Sequence, residues 1–263
     1  MILRPLEPAA PALTDLDHDQ FVSAWPVVER LQKQNYESCW MITQPSHAAL
    51  SGEIAARLTG PAIPKLDGEL VRAIALHDAG WGIADAQAVT RSRSARRVTP
   101  RSFLETEVAE FLDAWTQSIQ VAQSVGPAGG FIVSRHFQRL AEHRMAAADD
   151  SERDRKNLQQ FVEHEGQRQK KFAAKQERKA EELELLTDVL QFCDLLSLYI
   201  CCGAGQSVEF PECRGVKARL TVDEGRYKLD PPLVEPGSES SFAALRYPAT
   251  KDVSSKEISV KIG

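Results

Sequence analysis

The segment ELELLTDVLQFCDLLSLYICC, residues 182–202, constrains this chain more than any other. A helix that is apolar around most of its circumference must be surrounded by other elements, so this one is read as the central core helix, stopped by Gly203 and Gly205. In its middle sits Asp194. A carboxylate in that setting is costly to bury unless it is paired, hydrogen-bonded or bound to a cation. An internal hydrogen bond on the helix face is the plain alternative to a metal.

The rest of the chain supplies what such a helix needs. With 263 residues and 43% hydrophobic content it is long enough for one substantial core. Its five cysteines, Cys39, Cys193, Cys201, Cys202 and Cys213, are odd in number and match no CxxC pair, which fits buried thiols in a reducing compartment. No stretch approaches the roughly 18 apolar residues of a bilayer span, and the opening MILRPLEPAAPAL has no basic n-region, so a cytoplasmic protein without a membrane partner is expected. The net charge of -5 argues against bulk nucleic-acid binding. No Walker loop, dinucleotide fingerprint or GxSxG elbow is present, and the glycines from Gly126 to Gly130 lack a phosphate-loop lysine.

Three regions follow from patterning. Residues 1–35, with Pro5, Pro8, Pro11 and the acidic run from Asp15 to Asp19, read as a loosely attached lead-in. Residues 36–205 read as a helical domain. In it SCWMITQ is a short strand, and a helix from Pro45 to Leu58 places His47 beside Leu50 and Ile54. A second helix, capped by Asp67, carries Leu70, Ile74 and His77 on one face before Gly80. Two amphipathic helices follow, one with Val108, Phe111 and Trp115, the other after Gly130 with Ile132, Val133, His136 and Leu140. Residues 151–184 are dense in charge and read as a long solvated helix, or a hairpin broken near Gly166, offering a homodimer contact. Residues 206–263 hold short alternating stretches, SVEF, KARLTV, GRYKL and EISVKI, and read as a small β appendage packed on the helices. The expected fold class is therefore mostly α, a helical bundle with a small C-terminal β appendage.

Five titratable residues stand in apolar contexts: His47, His77, Asp78, His136 and Asp194. Imidazoles and carboxylates converging from separate elements are what a divalent metal requires, since several donors must replace its water. Ordinary hydrogen-bonded core histidines are the alternative. The His-Asp dipeptide is weak evidence alone, because His18-Asp19 repeats it within a polar run and reads as a solvated pair. The loop TRSRSARRVTPR brings Arg91, Arg93, Arg96 and Arg97 soon after Asp78; guanidinium forks suit the oxygens of a small anionic substrate, while the plain reading is a solubilising loop. Trp81 reads as either a pocket wall or core packing.

The order His47, then His77-Asp78 in the phrase HDAGW, then a late Asp194 on an apolar helix resembles the HD-domain superfamily of metal-dependent phosphohydrolases. More narrowly, WMITQPSHAALSG, AIALHDAGW, FIVSRH and YKLDPPL resemble an HD-related bacterial family known mainly as a domain of unknown function, across residues 38–235. The resemblance implies an all-helical bundle in which His47, His77, Asp78 and Asp194 bind one divalent metal, with His136 a candidate ligand of a second. Iron, manganese and zinc are equally compatible, one or two ions per chain. Asp78 is the candidate catalytic residue, positioning a metal-activated water for attack on a phosphate ester or nucleotide-like anion. An inactive HD-fold binding or regulatory module and an iron-dependent oxygenase are the alternatives.

Overall fold

The structure, a computed structural model, describes residues 1–7, 22–61, 63–94, 98–147, 150–223, 225–250 and 254–263. In chain order the elements are β1 (Ile2–Pro5), β2 (Val22–Ser23), α1 (Ala24–Gln32), β3 (Cys39–Ile42), α2 (Gln44–Ala56), α3 (Gly68–Ala75), α4 (Gly82–Ser92), α5 (Val108–Val125), α6 (Pro127–Ala147), α7 (Glu152–Ala173), α8 (Ala180–Cys201), β4 (Val208–Glu209), β5 (Arg219–Asp223), β6 (Arg226–Asp230), β7 (Ser238–Tyr247) and β8 (Ser255–Ile262). Short side chains start the helices that matter for the site. Thr43 Oγ1 accepts from the Ser46 amide at 3.2 Å with Pro45 in the first turn of α2, and Asp67 accepts from the Leu70 amide at 3.0 Å at the head of α3.

Helix α8 is the buried axis expected from its sequence: Leu183, Leu186, Leu190, Leu196 and Tyr199 are all in the core, and α1, α2, α6 and β1 pack around it. Its last carbonyls are capped from the far end of the chain, where Arg4 Nη1 donates to Ile200 O at 2.8 Å. Helix α7 runs unbroken through Gly166. Its stripe of Leu158, Phe161, Glu165, Gln169 and Phe172 is buried, and the polar members of the stripe find partners on α6, where Ser134 donates to Glu165 Oε2 at 2.8 Å and Gln169 donates to Gln138 at 2.7 Å, leaving Glu165 Oε1 without a hydrogen bond among the described residues. The apolar surface of the charged segment is thus spent within the chain.

The mostly-α, or all-α, reading is corrected by an eight-stranded mixed sheet in the order β1-β3-β7-β8-β6-β5-β4-β2. Its C-terminal strands are no appendage. β7 is the join: it pairs antiparallel with β3 through Cys39 and Tyr247 and with β8 from Ser238 to Leu245, while β3 pairs with β1 through Ile2 and Ile42. Residues of the presumed lead-in are built into the same sheet, since β1 forms one edge, β2 pairs parallel with β4, and Met1, Ile2 and Leu3 are buried. On β7 and β8 burial alternates, one face covered and one open to solvent, as a one-sided antiparallel sheet requires. At the β1-β3 end both faces are covered: α1 and α8 lie against β1, and Ala88 and Val89 of α4 pack on Leu3, Met41 and Tyr247. No helix among the described residues is long and apolar enough to cross a membrane.

Candidate metal centre

Four elements bring the predicted ligands together. His47 lies one turn into α2, His77 and Asp78 follow the last turn of α3, His136 is mid-way along α6, and Asp194 is on α8. The helices approach closely because α2 has no side chain at Gly52, where a Cβ would come within 2.8 Å of Ala75 Cα on α3.

The two ring orientations are fixed from behind. His77 donates from Nδ1 to the Ile74 carbonyl at 2.8 Å. Ser197 gives its own proton to the Asp194 carbonyl at 2.9 Å and so accepts from His47 Nδ1 at 2.8 Å, with Ser51 Oγ a further 2.7 Å away. With both Nδ1 positions engaged, both Nε2 atoms face the carboxylates, the tautomer control that metal-bound histidines use. His47 Nε2 is 2.9 Å from Asp78 Oδ2 and 3.7 Å from Asp194 Oδ1, and His77 Nε2 is 3.2 Å from Asp194 Oδ1 and 3.7 Å from Asp78 Oδ2. Ligands roughly 2.1 Å from a shared ion and 90–110° apart stand roughly 3.0–3.4 Å from each other; the 2.9 and 3.2 Å spacings match this and the two of 3.7 Å are wider, and His47, His77 and Asp78 form one close group. His136 Nε2 is 3.8 Å from Asp194 Oδ2, and its buried Nδ1 has no hydrogen-bond partner among the described residues. His77, His136 and Asp194 form a second close group.

The electrostatics favour positive charge between the carboxylates. Burial works against protonation of His77, yet Asp78 and the hydrogen bond to Asp194 outweigh it and push the imidazole up to about 9. Burial would raise Asp194, but His77 and the other imidazoles hold it down at about 2. For His136 burial prevails, and it is pushed down to about 4.

Access comes from one side. A cavity of about 330 Å³ has His136 and Asp194 in its wall, together with Trp25, Leu140, Phe192, Leu195 and Leu198. Asp194 is the most exposed of the five side chains, at 14% against 9% for Asp78 and 2% or less for the histidines.

The predicted anion-binding residues lie elsewhere. Arg91 and the largely buried Trp81 line a separate cavity of about 680 Å³ that touches none of the five. Arg93 donates to the Ser254 carbonyl beside the sheet, while Arg96 and Arg97, like His18-Asp19, fall outside the described residues. All five cysteines are free and buried. Sequence reasoning missed Ser51 and Ser197, although each stands one turn from a ligand, at four residues after His47 and three after Asp194.

Neither the curated proteins nor the solved structures give a match to this sequence. A family model does match, over residues 31–237, which spans the helices bearing the five candidate residues and four of the eight strands, β3 to β6, and ends just before β7. By that match the chain belongs to DUF3891, a family described as a protein of unknown function.

Proposed function

We propose that this protein is a metal-dependent hydrolase in which His47, His77, Asp78 and Asp194 hold one divalent cation, iron, manganese or zinc. The observation that supports the reading best is the paired tautomer control: two histidines anchored through Nδ1, by Ile74 O and by Ser197, present Nε2 to two carboxylates at 2.9–3.7 Å. The order of these residues along the chain is the one that resembles the HD superfamily. A cation in such a set supplies hydroxide near neutral pH by lowering the pKa of bound water. The protein's own groups divide the remaining work. Asp194, the least buried of the four, marks where substrate meets the centre, and Asp78 is fixed at Oδ2 by His47. His136, neutral at its depressed pKa, stands in the cavity wall where it can take or return a proton. Five free, buried thiols fit action in the cytoplasm.

The test is metal content, by plasma mass spectrometry, of protein purified without chelator. About one ion per chain is expected, lost in Asp78→Ala and Asp194→Ala variants whose circular dichroism is unchanged. A wild-type chain that takes up none of the three metals on reconstitution would overturn the reading. The apolar cavity wall gives one further reading a foothold: substrate-dependent oxygen uptake by the iron-loaded protein would make it an oxygenase instead.

A further inference from the structure

We infer that the cavity beside the centre takes a small, uncharged, largely apolar molecule, and that the bond hydrolysed there is a carboxylic ester or amide rather than a phosphate ester. The inference rests on the metal-centre reading for its chemistry, and on the cavity alone for its ligand class.

Three observations carry it. First, the described lining holds no lysine or arginine. Guanidinium forks and ammonium groups are how proteins hold phosphate oxygens. The nearby Arg139 is committed, with Nη1 on Asp188 and Gln191 and Nη2 on Glu184. Second, apart from two titratable imidazoles, His136 and His143, the charge of the described lining is negative: Asp188, met by Arg139, and the exposed Glu212, which has no partner among the described residues, add to Asp194. A divalent cation bound by Asp78 and Asp194 would be formally neutral, so the loaded centre would offer a dianion less long-range attraction than a site with positive charge to spare. Third, Trp25, Leu140, Phe192, Leu195 and Leu198 make an apolar wall around a volume at the small end of ligand sites.

The reaction balances without any further reactant. The oxygen of water bonds to the carbonyl carbon, the bond from that carbon to the alkoxy oxygen or amide nitrogen breaks, and the departing alcohol or amine takes up a proton. The product is a carboxylate, whose charge the acidic, arginine-free lining disfavours, which promotes its release.

The uncharged dye N-phenyl-1-naphthylamine, titrated into the full chain and followed by fluorescence, tests the ligand class without requiring turnover. We expect one saturable site, displaced by phenyl acetate and not by phenyl phosphate at the same concentration. A Leu195→Glu variant should bind the dye at least tenfold more weakly while Leu195→Met retains it. Leu140→Gln repeats the test at a second wall position should Leu195→Glu fail to fold. Displacement by phenyl phosphate at lower concentration than by phenyl acetate, or folded wall variants that bind the dye as wild type does, would overturn the inference. Metal content, measured alongside, separates the two claims. Dye and ester binding by a chain that takes up no metal sinks the hydrolase reading and the ester-cleavage part of this inference but leaves its ligand class standing, whereas stoichiometric metal with preferred phenyl phosphate binding overturns this inference and leaves the metal centre standing.

Discussion

Ser197 does for His47 what the Ile74 carbonyl does for His77, and only the first of these can be removed by mutation. Ser197→Ala is expected to leave the circular dichroism intact and weaken metal affinity roughly 10–100-fold, the usual loss when a ligand's outer partner is deleted, read by competition with a chelator. The two shifted histidines make a second prediction, for metal-free protein. His77 is raised, so its contribution to stability is complete below the ordinary 6.5 and is lost as pH rises through about 9. His136 is depressed, so its contribution is complete above 6.5 and is lost as pH falls towards about 4. The melting temperature of chelator-treated protein should therefore peak near the middle of that range, with His77→Gln flattening the alkaline limb and His136→Gln the acid limb. The five residues that the structure brings together were legible, because a carboxylate or imidazole on an apolar face stands out. The serines were not. Serine is unremarkable in a helix, and nothing local reveals that the partner of Ser197 lies 150 positions upstream.

Between elements, the decisive contact is the crossing of α2 and α3, since it sets His47 against His77. A methyl group at position 52 would press on the Ala75 backbone. Gly52→Ala should cost about 1–3 kcal/mol, as overpacking typically does, and weaken metal binding with it. Combining it with Ala75→Gly should recover less than the backbone clash costs, because the obstruction includes Ala75 Cα as well as its Cβ; thermal melts of the two single variants and the double close the cycle. Helices α2, α3, α6 and α8 were readable from hydrophobic spacing. Strand β7 was not, although it is the longest strand, because its covered face is Ser238, Ser240, Phe242 and Ala244, alternating in burial but hardly in hydropathy, while Tyr247 is buried on the opposite face. β1 and β3, at four residues each, are too short to show a period. The buried stripe of α7 escaped for a related reason: Glu165 and Gln169 occupy positions where hydropathy predicts water, and it takes the partners on α6 to make them core residues.

Over the whole molecule, helices and sheet are one cooperative unit, because β1 and β3 near the start of the chain pair into the same sheet as β7 and β8. A fragment of residues 36–205 is accordingly expected to show helical circular dichroism without a cooperative melt, whereas the full chain melts in a single transition; a sharp transition in the fragment would mean that the helices stand alone. Sequence patterning divided the molecule into three because the pairings that unite it span up to 208 positions, as from Cys39 to Tyr247, far beyond any local window. The same pairing bears on how the protein is made. All five candidate ligands leave the ribosome before β7, so the pocket for a metal can assemble while β3 still has an unpaired edge awaiting a strand not yet synthesised. Such long-range closure is slow relative to helix formation. An ion captured early would therefore act as a folding aid, holding the helices in register until the last strands arrive, and growth of the producing cells in metal-depleted medium should lower the yield of folded chain rather than merely its metal content.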